Sequence, residues 1–438
     1  MNFSNYFSNT FWLLASKIYR MGFALAVTVW MARYLGPEEF GLLNYALSFV
    51  IIFSVLISLG LENVVVKQVI NDFESEGEVV ASSLILRFIG GAIFFLTTIL
   101  VVFIIKPDGF LLHQLVVILS FGYLFKSFEI LRYWFEAHVK AKYSALMEVV
   151  ALTVSASLKV VLILVEAPLY LFAWAVVSEF IVMAFGLSIM FSIHYKKPFV
   201  SLKPNIDRIK YLFKEAWPLT LAGALYMIAT KVDQIMLGNM VGSEAVGVYA
   251  AAVKLSEGWF FIPAVIATSL YPTMLHAKNN SRELYLERTQ HLLNIMAAIG
   301  ISAAVGIGLI ASPLMSFVFG DEYTESAAIL IVHIWGGVFI AISGISYRYL
   351  IAEGLQKYSL YRGITGAIVN IAMNYLFIPT YGAMGAAVST VVSQFMALYL
   401  FNCSRFKTRE LFYMQSKALS LVGLPNTLRQ INAIVRKR

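Results

Sequence analysis

Apolar runs long enough to cross a bilayer, which takes about 20 helical residues, follow one another along the chain with short polar breaks between them. They predict spans near 11–32, 42–62, 82–104, 111–135, 144–165, 168–192, 215–240, 246–275, 290–312, 326–350, 359–379 and 383–403. A membrane-crossing strand would instead alternate apolar and polar residues over about 10 positions. Stretches such as Gly91 to Ile105 show no such alternation. The expected fold is an all-α polytopic membrane protein of about 12 transmembrane helices.

Composition closes off the other classes. Of 438 residues, 60% are hydrophobic and 13% charged, against about 25% charged in soluble domains. The spans absorb nearly all the apolar residues, which excludes a secreted protein, a cytosolic enzyme and a disordered chain. Cys403 is the one cysteine, so neither an internal disulfide nor a cysteine metal cluster is expected. Met1 to Asn9 carry no charge and no Ala-x-Ala cleavage site, and read as a retained start rather than a signal peptide.

The net charge of +8 is explained by position, not by a nucleic-acid partner, which would need a basic surface. With the N-terminus inside, the inner breaks hold Lys67, Lys140, Lys142, the basic residues from Lys196 to Lys214, Lys278, Arg282, Arg288, Lys357 and Arg362. The tail adds those from Arg405 to Arg438, against Arg33 and Lys106 outside. This bias predicts that both termini are cytoplasmic. Asp72, Glu74, Glu76 and Glu78 also fall inside, but acids weigh little in this rule.

The longest break, with Pro198 and Pro204, divides the chain into a six-helix half at 1–192, a linker at 193–214, a second half at 215–403 and a basic tail at 404–438. Gly36-Pro-Glu-Glu-Phe-Gly41 is echoed by Gly242-Ser-Glu-Ala-Val-Gly247 after the first span of each half. Arg132-Tyr133 followed by Lys142-Tyr143-Ser144 is echoed by Arg348-Tyr349 followed by Lys357-Tyr358-Ser359 at nearly the same offset. Two pseudo-symmetric halves with parallel topology are expected, and transporters of that build place a central cavity between them.

The candidate chemistry is the charge inside the spans, where each Lys or Arg costs about 2.5–3.5 kcal/mol at a helix centre. Lys17 and Arg20 share one face of span 1, which has no acid. Span 4 carries Lys126, Glu129 and Arg132, and Lys159 lies inside span 5. Two readings stand open: Lys17, Arg20, Lys126, Arg132 and Lys159 line a cavity for an anion, or acids such as Glu148 and Glu179 neutralise them. Arg87 and Arg348 are near the inner ends and are expected to snorkel. Lys231 and Asp233 on span 7, with Lys254 and Glu257 on span 8, fit either a structural ion-pair network or a proton-coupling site.

Trp30 and Trp134 share spans with the basic faces and are candidates to stack on sugar rings, although most aromatics belong to lipid-facing belts. Pro218 and Pro263 can bend spans 7 and 8, as a gate or as a static kink. The tail after Arg405 reads as an interfacial helix on an anionic leaflet or as a solvated basic segment. There is no phosphate-binding loop, no metal-ligand cluster and no soluble stretch for a transferase domain. The chain is expected to be a transporter, not an enzyme.

Ala32-Arg-Tyr-Leu-Gly-Pro-Glu-Glu-Phe-Gly41 after span 1, then Leu59-Gly60-Leu61, resembles the polysaccharide-unit flippases of the multidrug/oligosaccharidyl-lipid/polysaccharide exporter superfamily. The second half adds Asp233 to Gly238, Gly242 to Gly247, Tyr249-Ala250-Ala251, Asn370, Asn374, Pro379 and Tyr381 to Ala387, and the resemblance runs from about 10 to 403. It implies flipping of undecaprenyl-diphosphate-linked repeat units of O-antigen, capsule or exopolysaccharide across the bacterial cytoplasmic membrane by alternating access. It also implies a proton or sodium gradient as the driving force, no bound cofactor or metal, and a polysaccharide polymerase and chain-length regulator as partners beside the membrane lipids. Gly36, Pro37, Glu38, Gly41, Gly242 and Gly247 would be its motif or gate residues. The competing readings are a cation-coupled drug antiporter, which would want acids in span 1, a peptidoglycan-precursor flippase, and a membrane-embedded glycan polymerase or ligase.

Reversing both charges on span 1, Lys17→Glu with Arg20→Glu, is expected to abolish surface polysaccharide while the protein still inserts. Normal polysaccharide in cells carrying the double variant would refute the anion-cavity reading.

Overall fold

The computed structural model describes residues 3–195, 202–427 and 429, with the side chains of 3–18, 20, 222 and 226 outside the description. It contains no strand among the described residues. The chain forms two compact units, Met1–Ile235 and Met236–Arg438. The first holds α1 (Phe3–Phe53), α2 (Val55–Ser58), α3 (Leu61–Asn71), α4 (Glu76–Ile105), α5 (Phe110–Leu124), a 3-10 segment (Phe125–Glu129), α6 (Ile130–Ala137), α7 (Ala141–Leu164), α8 (Leu169–Tyr195) and most of α9 (Ile206–Met240). The second holds α10 (Ser243–Glu257), α11 (Phe261–Asn280), α12 (Arg282–Leu309), α13 (Ala311–Phe319), α14 (Ser326–His333), α15 (Gly336–Ala352), α16 (Gln356–Phe395), α17 (Phe401–Ser404) and α18 (Arg409–Leu419).

Among the described residues nine helical runs are long and apolar enough to cross a membrane. Two of them, Met21–Asn71 and Gln356–Ser404, are 51 and 49 residues long, more than twice what one crossing takes. Each contains a glycine at positive φ, Gly36 (φ 67°) and Gly382 (φ 53°). The protein is an all-α polytopic membrane protein, and the expected spans fall on helix apart from short breaks.

The helices are interrupted at specific places. Span 2 breaks at Leu59 and Gly60, both left-handed, and span 4 tightens into the 3-10 segment. In the second unit, span 8 breaks between α10 and α11, and span 10 between α14 and α15. Pro263 lies in the first turn of α11, where its missing N–H costs nothing. The break therefore precedes the proline instead of being caused by it.

Both sequence echoes have a local structural counterpart. Gly36 (φ 67°, ψ 173°) and Gly242 (φ 134°, ψ 176°) adopt backbone that residues with a Cβ avoid, and Pro37 and Ser243 start the next helix. The second pair of motifs surrounds two identical helix ends. Val139 (φ 56°) closes α6 with Lys140 N–H donating to the Phe135 carbonyl at 2.8 Å. Gly354 (φ 70°) closes α15 with Leu355 N–H donating to Leu350 at 2.7 Å. This is the six-to-one bond of a Schellman cap, which satisfies carbonyls the helix end leaves open.

The tail after the last span begins with a helix that packs on protein. Leu411, Met414 and Ala418 of α18 are buried in the same core as Leu292, Leu293 and Met296 of α12 and Tyr349 of α15. The apolar face of α18 is thus covered by protein, on residues of α12 and α15 that lie within the expected spans.

Gly36→Ala and Gly242→Ala are each expected to cost about 1–3 kcal/mol through the backbone alone. Space around Gly242 is open, so no clash contributes. Gly306→Ala, also in open space but on a regular helix, should be neutral or slightly stabilising. Unfolding midpoints of the three variants in detergent check this ordering.

Candidate functional site: the embedded charge cluster of the first unit

The cluster is assembled where span 4 leaves the α conformation. The 3-10 segment Phe125–Glu129 carries Lys126 and Glu129, and α6 continues with Arg132, Tyr133 and Glu136. Opposite them, α4 brings Arg87 and α7 brings Glu148. Arg87 does not snorkel as expected; it is 1% exposed. Its Nη1 donates to the Lys126 carbonyl at 2.8 Å and its Nη2 to the Tyr133 hydroxyl at 3.2 Å, with Glu129 at 3.9 Å. An arginine only a few residues into the span thus reaches sideways to a neighbouring helix, because an irregular backbone carbonyl is a better partner than distant water.

Lys126 and Arg132 are paired. Lys126 Nζ is 3.7 Å from Glu129 Oε1 and 4.9 Å from the centre of the Tyr123 ring. Arg132 Nε donates to Glu136 at 2.8 Å and its Nη1 to Glu148 at 2.9 Å. Of the two open readings, neutralisation by Glu148 is present in this state, as the cost of an isolated charge in a span requires. Both cations keep an outlet, with side chains 30% and 36% exposed. Lys159 is half-buried on α7 with no hydrogen bond or ion pair among the described residues, and Glu179 on α8 is the acid in electrostatic reach.

The other candidates divide. Lys17 and Arg20 lie on α1, but their side chains fall outside the described residues. Lys231 is half-buried on α9 and Asp233, 6% exposed, accepts the Gln234 N–H at 2.8 Å. Lys254 and Glu257 are exposed on α10, one turn apart. Arg348 is half-buried and donates to the Gly344 carbonyl at 2.8 Å and to Thr268 Oγ1 at 2.7 Å. Trp134 cannot stack on a sugar. It is 2% exposed, its Nε1 donates to Glu76 at 2.9 Å, and its ring packs against His138, Phe135 and Phe191. Trp30 is 43% exposed. Gly36, Pro37 and Glu38 form the joint inside α1, and Gly41 is buried; Gly242 and Gly247 repeat that arrangement at the start of α10.

Sequence reasoning missed two features. Arg362, counted there as a loop charge, is 4% exposed and donates to the Ala397 and Leu398 carbonyls at 3.2 Å each. These carbonyls belong to the π-helical turn Met396–Leu400. Position at the end of a polar break hid it, and no local pattern distinguishes it. The second is a buried polar group in α10 and α16. Tyr249 Oη is 3.3 Å from Thr390 Oγ1, Asn374 Nδ2 donates to Asn370 Oδ1 at 3.0 Å, and Asn374 Oδ1 has no partner. Asn370 and Asn374, one turn apart in an apolar span, were the available signal. No group of three His, Cys, Asp or Glu is placed to hold a metal among the described residues.

Each unit also carries a set of ion pairs at its helix ends. In the first, acids of the break between spans 2 and 3 are paired: Glu78 and Asp72 bind Arg208 of α9 at 3.2 and 3.6 Å, and Glu76 binds His138 at 3.0 Å. Hydrogen bonds from Ser75, then Arg208, hold the Asp72 carboxyl below the usual carboxylate range. In the second, bases of the break between spans 8 and 9 are paired: Arg282 binds Glu410 of α18 at 2.6 Å and Glu353 at 3.5 Å, and Lys278 binds Glu353 at 2.9 Å.

Arg87→Ala is expected to destabilise the protein by about 2–4 kcal/mol, since it leaves a buried carbonyl and hydroxyl without a donor. Arg87→Lys should recover less than half, because an ammonium cannot span both acceptors. Thermal unfolding of the two variants in detergent checks the order.

Comparison with known proteins agrees with this architecture. The family model described as polysaccharide biosynthesis protein matches residues 7–278, and that of the lipid II flippase MurJ matches residues 149–424. The capsular polysaccharide biosynthesis protein CapF of Staphylococcus aureus is 27% identical over 377 residues, covering 83% of this chain and 89% of its own length. The probable low-salt glycan biosynthesis flippase Agl15 of Haloferax volcanii is 23% identical over 395 residues, 87% of this chain and 79% of that protein. The solved inward closed conformation of lipid II flippase MurJ superposes with a TM-score of 0.69 at 16% identity, over 92% of this chain and 90% of that one. With its helical fold and a family match over most of its length, the chain belongs to the polysaccharide biosynthesis protein family, as a membrane flippase of the multidrug/oligosaccharidyl-lipid/polysaccharide exporter superfamily.

Proposed function

We propose that the protein carries undecaprenyl-diphosphate-linked oligosaccharide repeat units across the bacterial cytoplasmic membrane by alternating access, for O-antigen, capsule or exopolysaccharide synthesis. The observation that carries this reading is the set of partly exposed cations inside the first unit, held by carboxylates, in a chain of the flippase family. A diphosphate is a stronger acceptor for a guanidinium than one carboxylate. Arg132 and Lys126 would exchange Glu148 and Glu129 for the passenger's phosphates and take the carboxylates back on release. Lys17, Arg20 and Lys159 would extend the same cationic surface, and the apolar tail would stay in lipid.

The multi-pass fold supports residence in the membrane, and the distribution of Lys and Arg supports cytoplasmic termini. Relatives named as flippases and biosynthesis proteins support a transport rather than a catalytic role. A proton or sodium gradient is the proposed driving force, with Asp233 and Glu257 as candidate coupling residues beside the structural ion pairs. A polymerase and a chain-length regulator are the proposed partners downstream.

Deleting the gene should cause lipid-linked repeat units to accumulate on the inner side and surface polysaccharide to disappear. Extraction of the lipid-linked sugars and their mass analysis reads both. Unchanged polysaccharide with loss of resistance to a cationic dye would favour a drug antiporter. Rescue of a strain lacking its essential peptidoglycan-precursor flippase would favour that substrate.

A further inference from the structure

The segment after α17 builds a cavity that the flipping reaction does not use. It enters α18 through a 3-10 turn, Phe406–Thr408, and reverses at Leu421, a non-glycine residue at φ 58°. The reversal lays Thr427 back onto α12. Thr427, 1% exposed, has its hydroxyl 2.8 Å from His291 Nδ1 and 3.0 Å from Asn294 Nδ2. Gln290 ties the same floor to α18 by donating to Asn294 Oδ1 at 2.8 Å and to the Met414 carbonyl at 3.0 Å. Above this floor is a cavity of about 1230 Å³.

Its walls are cationic. Arg282, Lys407, Arg409 and Lys417 line it, against Glu287 and Glu410. Glu410 is occupied by Arg282 at 2.6 Å and by the Tyr349 hydroxyl at 2.6 Å. Lys407 and Lys417 are exposed, and their ammonium groups make no hydrogen bond or ion pair among the described residues. The same walls carry Phe406, Tyr413 and Val422 at 86%, 67% and 75% exposure. Apolar groups of this size left outside the core, next to unpaired lysines and just beyond a span, match the boundary where headgroups meet acyl chains. A freely soluble anion would leave those apolar side chains uncovered.

We propose that this cavity binds the headgroup of an anionic phospholipid from the leaflet at this end of the second unit. Lys407 and Lys417 meet its phosphate, and Phe406 and Tyr413 lie against its acyl chains. Two lysines near an anionic lipid surface correspond to a difference of about twentyfold to thirtyfold in affinity.

The test uses the full chain purified in neutral detergent, with dioleoyl phosphatidylglycerol, dioleoyl phosphatidylcholine and inorganic phosphate as probes, read by native mass spectrometry. The expected result is phosphatidylglycerol retained at least about tenfold more tightly than phosphatidylcholine, and a loss of most of that preference in Lys407→Gln with Lys417→Gln. Phe406→Ser with Tyr413→Ser should weaken retention of both lipids. Equal retention of the two lipids, or an unchanged preference in the lysine variant, would overturn the proposal. Displacement of the lipid by equimolar inorganic phosphate would overturn it as well, by showing a site for a free anion. Should the double lysine variant fold poorly, Lys417→Gln alone gives the same reading at smaller amplitude. Binding is measured without transport, so the outcome is independent of the flippase assignment.

Discussion

A carbonyl without a donor has no water to turn to inside a bilayer, so each departure from the α-helix must be answered by the protein itself. This chain departs often: a 3-10 segment in span 4, a π-helical turn in span 12, and glycine joints between spans. Two buried arginines answer the first two, Arg87 at the Lys126 carbonyl and Arg362 at Ala397 and Leu398. Five fixed donors in a plane let one guanidinium serve several acceptors at once. A charge that would be a liability in a span becomes the pin that permits an irregular one.

The irregularity is where the chemistry collects. The tightened stretch from Phe125 to Glu129 carries Lys126 and Glu129 beside Arg87 of α4, and α6 continues to Arg132, which Glu148 of α7 binds. Each cation is close to a carboxylate, yet Lys126 and Arg132 are only partly covered. Ion pairs of this kind are stable without a passenger and exchangeable with one. A permanently bare cation would be costly in the membrane, and a fully buried pair would be closed to any ligand.

The units share a plan and differ in sign. Both close α6 and α15 with the same cap, at Val139 and Gly354, and both dock a segment that follows their last span onto the helix ends. In the first unit the docking helix brings the base, Arg208, to acids; in the second, α18 brings the acid, Glu410, to bases. The reversal makes each docking segment complementary in charge to its own unit. Composition alone, which reports a basic tail, conceals that one acid in it is the docking residue.

Hydrophobic run length determined the fold class, because an apolar stretch of about 20 residues has few alternatives to a membrane helix. The motif echoes marked the stretches around Gly36 and Gly242 and around Val139 and Gly354, where the structure then places joints and helix caps, features of local backbone chemistry carried by a few residues. Candidate cations were also legible, as rare charges in apolar runs stand out. Their partners were not. That Arg87 turns sideways, that Arg132 finds Glu148 sixteen residues on, that Trp134 is enclosed and that α18 is covered by α12 all follow from which helix faces meet. Tertiary structure decided those, because side chains in a low-dielectric interior take the donor or acceptor that packing brings near, and no periodicity in one helix records its neighbour.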